Sequence, residues 1–210
     1  MKKGQSFENE SGINNRDLMK PTPINKNLVM KTDGFTSLVE ALDYAAKGDS
    51  GFNFYDHRGE LDSVLSYREL RDQSSELASR LLALGCQHGD RVAIVAETKP
   101  MFHRFFFASL MAGLIPVALP ASVQLGARKA YVSQIHRMLE SCDASVAVAS
   151  SSHVSFLQEA TEGLDLLMSG TPEEFNDLPL ADIELPLIAA KDIAYLQYTS
   201  GSTSFPRGVE

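Results

Sequence analysis

The chain has 210 residues, 44% apolar and 22% charged, a composition typical of folded domains and not of disordered or fibrous chains. Its 19 basic and 27 acidic residues give a net charge of -8 without a basic cluster, which argues against a nucleic-acid-binding surface. Cys86 and Cys142 have neither CxxC spacing nor a histidine cluster, so we expect no disulfide framework and no zinc site. Together these features predict a folded protein of a reducing compartment, with the cytoplasm as the default location.

The first 32 residues form a segment of their own. They are polar, with asparagine, lysine and proline scattered among them, and they predict a loosely ordered arm. Two lysines follow the first residue, but no apolar core follows them, so the segment does not match a secretory signal. We therefore divide the chain into an arm at residues 1–32 and a domain portion at residues 33–210.

Two short elements are predicted after the arm. Leu38, Leu42 and either Ala45 or Ala46 fall on one face of a helix that ends near Gly48. Residues 51–67 then show the pattern of two paired strands, with the turn at residues 56–59.

The clearest helix begins after Ser66. The sequence Ser-Tyr-Arg-Glu is a capping box, in which Ser66 accepts from an early backbone N–H and Glu69 reaches back. Gly85 can supply the left-handed residue that ends the helix. The apolar face consists of Tyr67, Leu70, Leu77, Leu81 and Leu84.

From residue 91 onward, apolar strand-like runs alternate with helical segments. Strands are predicted at residues 91–97, 115–120, 144–150 and 164–169. Helices are predicted between them, at residues 99–114, 127–142 and 153–163. Such alternation is typical of βαβ crossovers. The expected fold class is therefore α/β, a mostly parallel sheet with helices on both faces.

One apolar stretch is long enough to cross a bilayer, because residues 105–127 contain no charged side chain. Gly113, Pro116 and Pro120 divide it into a helical half and a strand-like half. A buried helix followed by a buried strand fits this punctuation better than a membrane span. We expect no stable membrane insertion.

Periodicity is lost between residues 170 and 191, where prolines and acidic residues accumulate, so a surface linker is predicted there. Residues 192–199 then alternate between two faces, as a further strand would.

This last strand leads into a loop that is dense in hydroxyl groups. The hydroxyl-rich loop comprises Thr199, Ser200, Gly201, Ser202, Thr203 and Ser204. Small residues after a strand can turn backbone N–H groups inward as an anion-binding nest, and hydroxyls add donors. Arg207 would add a charge-assisted contact to phosphate. Composition alone also leaves a chemically silent Ser/Gly turn open.

The ordered pattern favours the phosphate-binding interpretation. A nucleotide-hydrolase P-loop is excluded, because its second glycine and its lysine would fall at Pro206 and Arg207. The sequence YTSGSTSFPRGV instead resembles the signature of the adenylate-forming enzymes. Ser204 replaces a glycine of that signature and Arg207 replaces a lysine, and both departures fit the fatty acyl-AMP ligase branch. The segments LSYRELRDQSSELASRLLALGCQHGDRVAIVAE and FFFASLMAGLIPVALP resemble the same family, which leaves only the arm outside.

The resemblance implies the N-terminal part of the family's large domain and an ATP-dependent ligase. In such enzymes a fatty-acid carboxylate attacks the α-phosphate of ATP, pyrophosphate leaves, and acyl-AMP is passed to an acyl carrier protein, with coenzyme A used poorly. Magnesium accompanies the ATP. The resemblance places the ATP phosphates on the hydroxyl-rich loop and on Arg207.

The family's adenine and ribose contacts, magnesium carboxylate, acyl tunnel and C-terminal lysine all follow this motif. We therefore expect the 210 residues to be part of a longer enzyme and not to adenylate alone. Two alternatives stay open: an acyl-CoA synthetase or amino-acid adenylation domain, and a non-catalytic nucleotide-binding or interaction module.

No catalytic residue is predicted. The histidines are scattered, without a serine or cysteine partner identifiable from spacing, and we expect them to have structural or surface roles. They are His57, His88, His103, His136 and His153.

Overall fold

The computed structural model describes residues 25–121, 128–180, 182–199 and 207–209. Its helices are α1 (Leu38–Ala45), α2 (Tyr67–Leu84), α3 (Pro100–Met111), α4 (Arg128–Cys142), α5 (Val154–Ala160) and α6 (Pro172–Asn176). Its strands are β1 (Gly51–Tyr55), β2 (Leu61–Ser66), β3 (Arg91–Val95), β4 (Ile115–Leu119), β5 (Ala144–Val148), β6 (Met168–Gly170), β7 (Leu196–Thr199) and β8 (Arg207–Val209). An antiparallel hairpin of β1 and β2 precedes a six-stranded sheet in the order β6-β5-β3-β4-β7-β8.

The large sheet is parallel from β3 to β7, and only β8 runs antiparallel, to β7. The α/β fold class with a mostly parallel sheet is thereby confirmed. Strand β3 is the first strand of this sheet in chain order, but it lies between β4 and β5. The chain must therefore reverse its direction of travel across the sheet after β4, which creates a topological switch point at β3.

Alternate residues of β3 face two separate cores on opposite faces of the sheet. Val92 and Ile94 belong to the first core, which α1, α2, α3 and α6 cover. Ala93 and Val95 belong to the second core, which α4 and α5 cover. All four side chains are at most 1% exposed, which explains why β3 is apolar throughout instead of alternating.

Helix α2 begins and ends as its sequence predicts. The Ser66 hydroxyl accepts from the Glu69 backbone N–H at 3.2 Å, and the Glu69 carboxylate accepts from the Ser66 N–H at 2.9 Å. Gly85 ends the helix with φ at 109°, a left-handed conformation that glycine adopts without strain. The capping box and the glycine thus fix both helix ends.

The linker predicted at residues 170–191 contains a helix that the sequence analysis missed. Thr171 and Glu174 form a second capping box at the start of α6. Phe175 on this helix is fully buried in the first core, with its ring 5.3 Å from that of Phe105 in an edge-on arrangement. The description of this whole segment as a surface linker was therefore wrong at α6.

Strands β6 and β7 begin later than predicted. Strand β6 spans three residues because it pairs only with the last three residues of β5. The preceding Leu164 and Leu166 instead pack against the second core. Strand β7 starts at Leu196, four residues later than predicted.

The long apolar stretch divides as its glycine and prolines indicate. Helix α3 ends at Met111 and β4 begins at Ile115, with Gly113 in a left-handed conformation between them. Among the described residues, no helix combines the length and apolarity needed to span a bilayer.

Candidate functional site

Strands β7 and β8 bring the two ends of the phosphate-binding motif together. In their antiparallel register Thr199 is paired with Arg207, and Tyr198 with Gly208. The two ends of the segment between Thr199 and Arg207 are therefore directly paired residues of the sheet. The remaining predicted residues of the hydroxyl-rich loop, Ser200, Gly201, Ser202, Thr203 and Ser204, lie outside the described residues.

Tyr198 fixes the strand from which this loop departs. Its ring packs against the second core, and its hydroxyl donates to the Met138 carbonyl of α4 at 2.8 Å. Burial raises the pKa of Tyr198 to about 12, so the phenol keeps its proton and remains a donor at neutral pH. The loop thus starts from a strand that is tied to the helix layer beneath it.

A second group of polar side chains lies at the same edge of the sheet, after the carboxyl ends of β3 and β5. The Glu97 carboxylate oxygen Oε1 lies 3.4 Å from His153 Nδ1 and 3.3 Å from the Ser152 hydroxyl. Ser152 also lies 2.7 Å from the Ser150 hydroxyl. We call Glu97, Ser150, Ser152 and His153 the edge cluster. It lies at the topological switch point, where α/β sheets commonly bind ligands.

The edge cluster keeps a carboxylate charged although it is largely enclosed, since the Glu97 side chain is only 11% exposed. Burial alone would raise the pKa of Glu97. The hydrogen bond from the Ser150 hydroxyl and the electrostatic effects of His153 and Lys99 outweigh burial and hold the pKa of Glu97 below its usual range. The Lys99 ammonium lies 3.7 Å from Oε1.

His153 is the functional candidate that the sequence analysis missed, because Glu97 is remote in sequence and only the fold brings the two together. A signal was nevertheless present. Glu97 and the Ser150–His153 stretch lie at the carboxyl ends of two predicted parallel strands, and such ends share one edge of a sheet.

The other histidines lie elsewhere. His103 packs among Phe52, Phe54 and Phe102, and burial lowers its pKa, as expected for a structural residue. His136 is half-buried on α4, with Nδ1 2.8 Å from the Ala160 carbonyl. Over the described ranges, no three His, Cys, Asp or Glu side chains are grouped so as to hold a metal ion.

Comparison with known proteins identifies the family. The sequence model of the AMP-binding enzyme family matches residues 46–210. A Caulobacter vibrioides protein named as an acyl-CoA synthetase is 40% identical over 189 residues, which cover 90% of this chain and 32% of that protein. A long-chain-fatty-acid–AMP ligase of Mycolicibacterium smegmatis is 30% identical over 205 residues, covering 90% of this chain and 31% of the ligase.

A solved structure from a study of fatty acyl-adenylate ligases of E. coli and L. pneumophila superposes with a TM-score of 0.78 at 40% identity. The match covers 83% of this chain and 32% of the solved one. The chain thus spans about a third of these relatives, 31% or 32% of each. The chain belongs to the AMP-binding enzyme family of adenylate-forming ligases and matches the N-terminal region of their large domain, with fatty acyl-AMP ligases among its structural neighbours.

Proposed function

We propose that the protein containing this chain activates fatty acids with ATP and transfers the acyl group to an acyl carrier protein. The main support is the motif YTSGSTSFPRGV, whose two ends pair as β7 and β8, in a chain that is 40% identical to a structure from a study of fatty acyl-adenylate ligases. Ser204 and Arg207 favour the acyl-AMP ligase branch over relatives that carry glycine and lysine at these positions.

We assign the ATP phosphates to the hydroxyl-rich loop and Arg207. The donor set suits a triphosphate, because hydroxyls, backbone N–H groups and a guanidinium are all donors. The pairing of Thr199 with Arg207 supports this assignment, since it returns the arginine backbone to the start of the loop. The loop's task is to hold the phosphates and to stabilise the charge that develops as pyrophosphate leaves.

Magnesium would accompany the ATP and screen its phosphate charges. The described residues offer no cluster of acidic or histidine ligands for it, so we place its ligands outside them. In this proposal the hydroxyl-rich loop and Arg207 contribute neutral and cationic donors to the phosphates.

A second candidate function is acyl transfer to coenzyme A, which the 40% identical Caulobacter relative favours by its name. The two functions share the adenylation step and differ only in the acceptor. A third possibility, a module that binds nucleotide without chemistry, shares only the binding step.

One set of assays on the full-length protein separates these functions. We expect fatty-acid-dependent exchange of labelled pyrophosphate into ATP, followed by acyl transfer to a phosphopantetheinylated carrier protein in preference to coenzyme A. Transfer to coenzyme A alone would establish the second candidate. ATP binding without exchange against a panel of fatty acids would refute adenylation and support the non-catalytic module.

A further inference from the structure

The carboxyl end of β4 is held by two side chains from outside the strand. The Tyr131 hydroxyl of α4 donates to the Pro120 carbonyl at 2.7 Å, and His153 Nε2 lies 2.7 Å from the Ala121 carbonyl. Because a carbonyl oxygen only accepts, Nε2 must carry a proton and donate. The successive carbonyls of Pro120 and Ala121 therefore each accept a hydrogen bond from a side chain that is buried or largely buried.

This end of β4 lies beside the start of the hydroxyl-rich loop. Ala118 is paired with Gln197 in the parallel ladder between β4 and β7. Continued by two residues, that register would set Pro120 opposite Thr199, at the carboxyl ends of the two strands. The position of Pro120 and Ala121 therefore bears on Thr199, the first residue of the hydroxyl-rich loop.

The edge cluster orients His153. With Nε2 committed to Ala121, the other ring nitrogen faces the Ser152 hydroxyl at 3.1 Å and Glu97 Oε1 at 3.4 Å. This arrangement is not a nucleophilic triad, in which the serine and the acid must lie on opposite ring nitrogens. Here the serine and the acid both contact Nδ1. The edge cluster therefore orients the His153 ring, and it does not form the proton relay that would activate Ser152 as a nucleophile.

Burial strengthens the case for a fixed arrangement. Tyr131 is 5% exposed, and the His153 side chain is 17% exposed. Burial, with the nearby charge of Glu97, raises the pKa of Tyr131 to about 12, so its hydroxyl remains a donor. Phe156 lies against both rings, at 5.8 Å from Tyr131 and 6.3 Å from His153.

We propose that His153, oriented by Glu97, acts with Tyr131 as a pair of positioning residues that fix the Pro120–Ala121 end of β4 beside the end of β7, where the hydroxyl-rich loop begins at Thr199. The catalytic consequence of this positioning rests on the proposed function. When Pro120 and Ala121 are held in place, the bound phosphates stay aligned with the attacking carboxylate. Displacements of about 1 Å in such sites can cost roughly 100-fold in rate.

Two substitutions of His153 separate the bond to Ala121 from the bond to Glu97. In His153→Gln the amide nitrogen can take the place of Nε2 and keep the donation to Ala121. In His153→Asn the amide nitrogen takes the place of Nδ1, so the donor faces Ser152 and Glu97 while the Ala121 bond is lost. His136→Ala is the matched control, since it also removes a histidine–carbonyl contact, to Ala160.

The test uses the full-length protein in pyrophosphate exchange and in peptide-level hydrogen exchange over residues 115–121. We expect His153→Asn to lower kcat about 10- to 100-fold with a smaller change in KM for ATP, and His153→Gln to restore most of it. Amide exchange should rise in His153→Asn and stay near the parent level in His153→Gln and His136→Ala.

The proposal is overturned if kcat falls to the same extent in His153→Asn and His153→Gln. It is also overturned if kcat falls as far in His136→Ala as in His153→Asn. Unchanged hydrogen exchange over residues 115–121 in His153→Asn overturns it as well. If the parent protein exchanges no pyrophosphate, the proposed function fails. The hydrogen-exchange comparison then still decides whether His153 fixes the end of β4.

Discussion

Phe175 should be a principal anchor of the segment that connects β6 to β7. Its side chain is fully buried in the first core, and its ring meets Phe105 edge-on. Truncating a buried phenylalanine to alanine costs about 3–5 kcal/mol, including the cavity that remains. Since aromatic pairs add roughly 0.5–1.5 kcal/mol beyond their buried area, we expect Phe175→Ala to fall in the upper half of the former range.

The measurement is the free energy of unfolding of the protein in urea, followed by circular dichroism. Leu180→Ala is the control, because Leu180 lies in the same segment but is 56% exposed and should cost at most about 0.5 kcal/mol. Phe175→Leu keeps most of the volume and should cost about 1.5 kcal/mol or less. If Phe175→Ala and Leu180→Ala destabilise equally, α6 does not pack on the first core as described.

Three further predictions concern charge and reactivity. Burial raises the pKa of Cys86 to about 12 and also raises that of Cys142, so both thiols should react with a thiolate-specific reagent at pH 8 far more slowly than in the unfolded chain; equal rates would contradict the burial. The pKa of Glu97 is lowered in the fold, so its charge stabilises the protein above its unfolded pKa of about 4.3, and this stabilisation is lost as the pH falls through the lower folded value. The free energy of unfolding of Glu97→Gln, measured against pH, should therefore differ most from the parent at neutral pH and converge with it in acid; a constant difference would refute the assignment. Arg207→Ala should raise KM for ATP in pyrophosphate exchange about 10- to 100-fold, the equivalent of one charged hydrogen-bonding group, whereas Arg207→Lys should recover part of this; an unchanged KM in Arg207→Ala would remove Arg207 from the phosphate site.

Most of the fold was predictable because its local signals agree with one another. The Ser66–Glu69 capping box and Gly85 mark both ends of α2, and Gly113 separates α3 from β4. Helix α6 was missed although Thr171 and Glu174 carry the same capping signal. The prolines and acidic residues around it suggested a loop, and the burial of Phe175 depends on a tertiary contact.

The candidate site was predictable in part for the same reason. The hydroxyl-rich loop is contiguous in sequence, so its composition and order were visible, and the structure adds the pairing of Thr199 with Arg207. The edge cluster is not contiguous. Glu97 and His153 meet only because β3 and β5 are neighbours in the sheet, and strand order is a property of the whole fold.

The place of β7 in the sheet has a consequence for the order of folding. Strands β3 to β6 are joined by short crossovers, whereas β7 pairs with β4 only after the chain has passed through β5, β6 and α6. Contacts between residues distant in sequence form late, because the loop between them must first close. Until β7 arrives, β4 presents an open edge, which other chains can pair with. We expect the pairing of β7 with β4 to be the last part of the sheet to form during refolding. Until then, the exposed edge of β4 should favour aggregation.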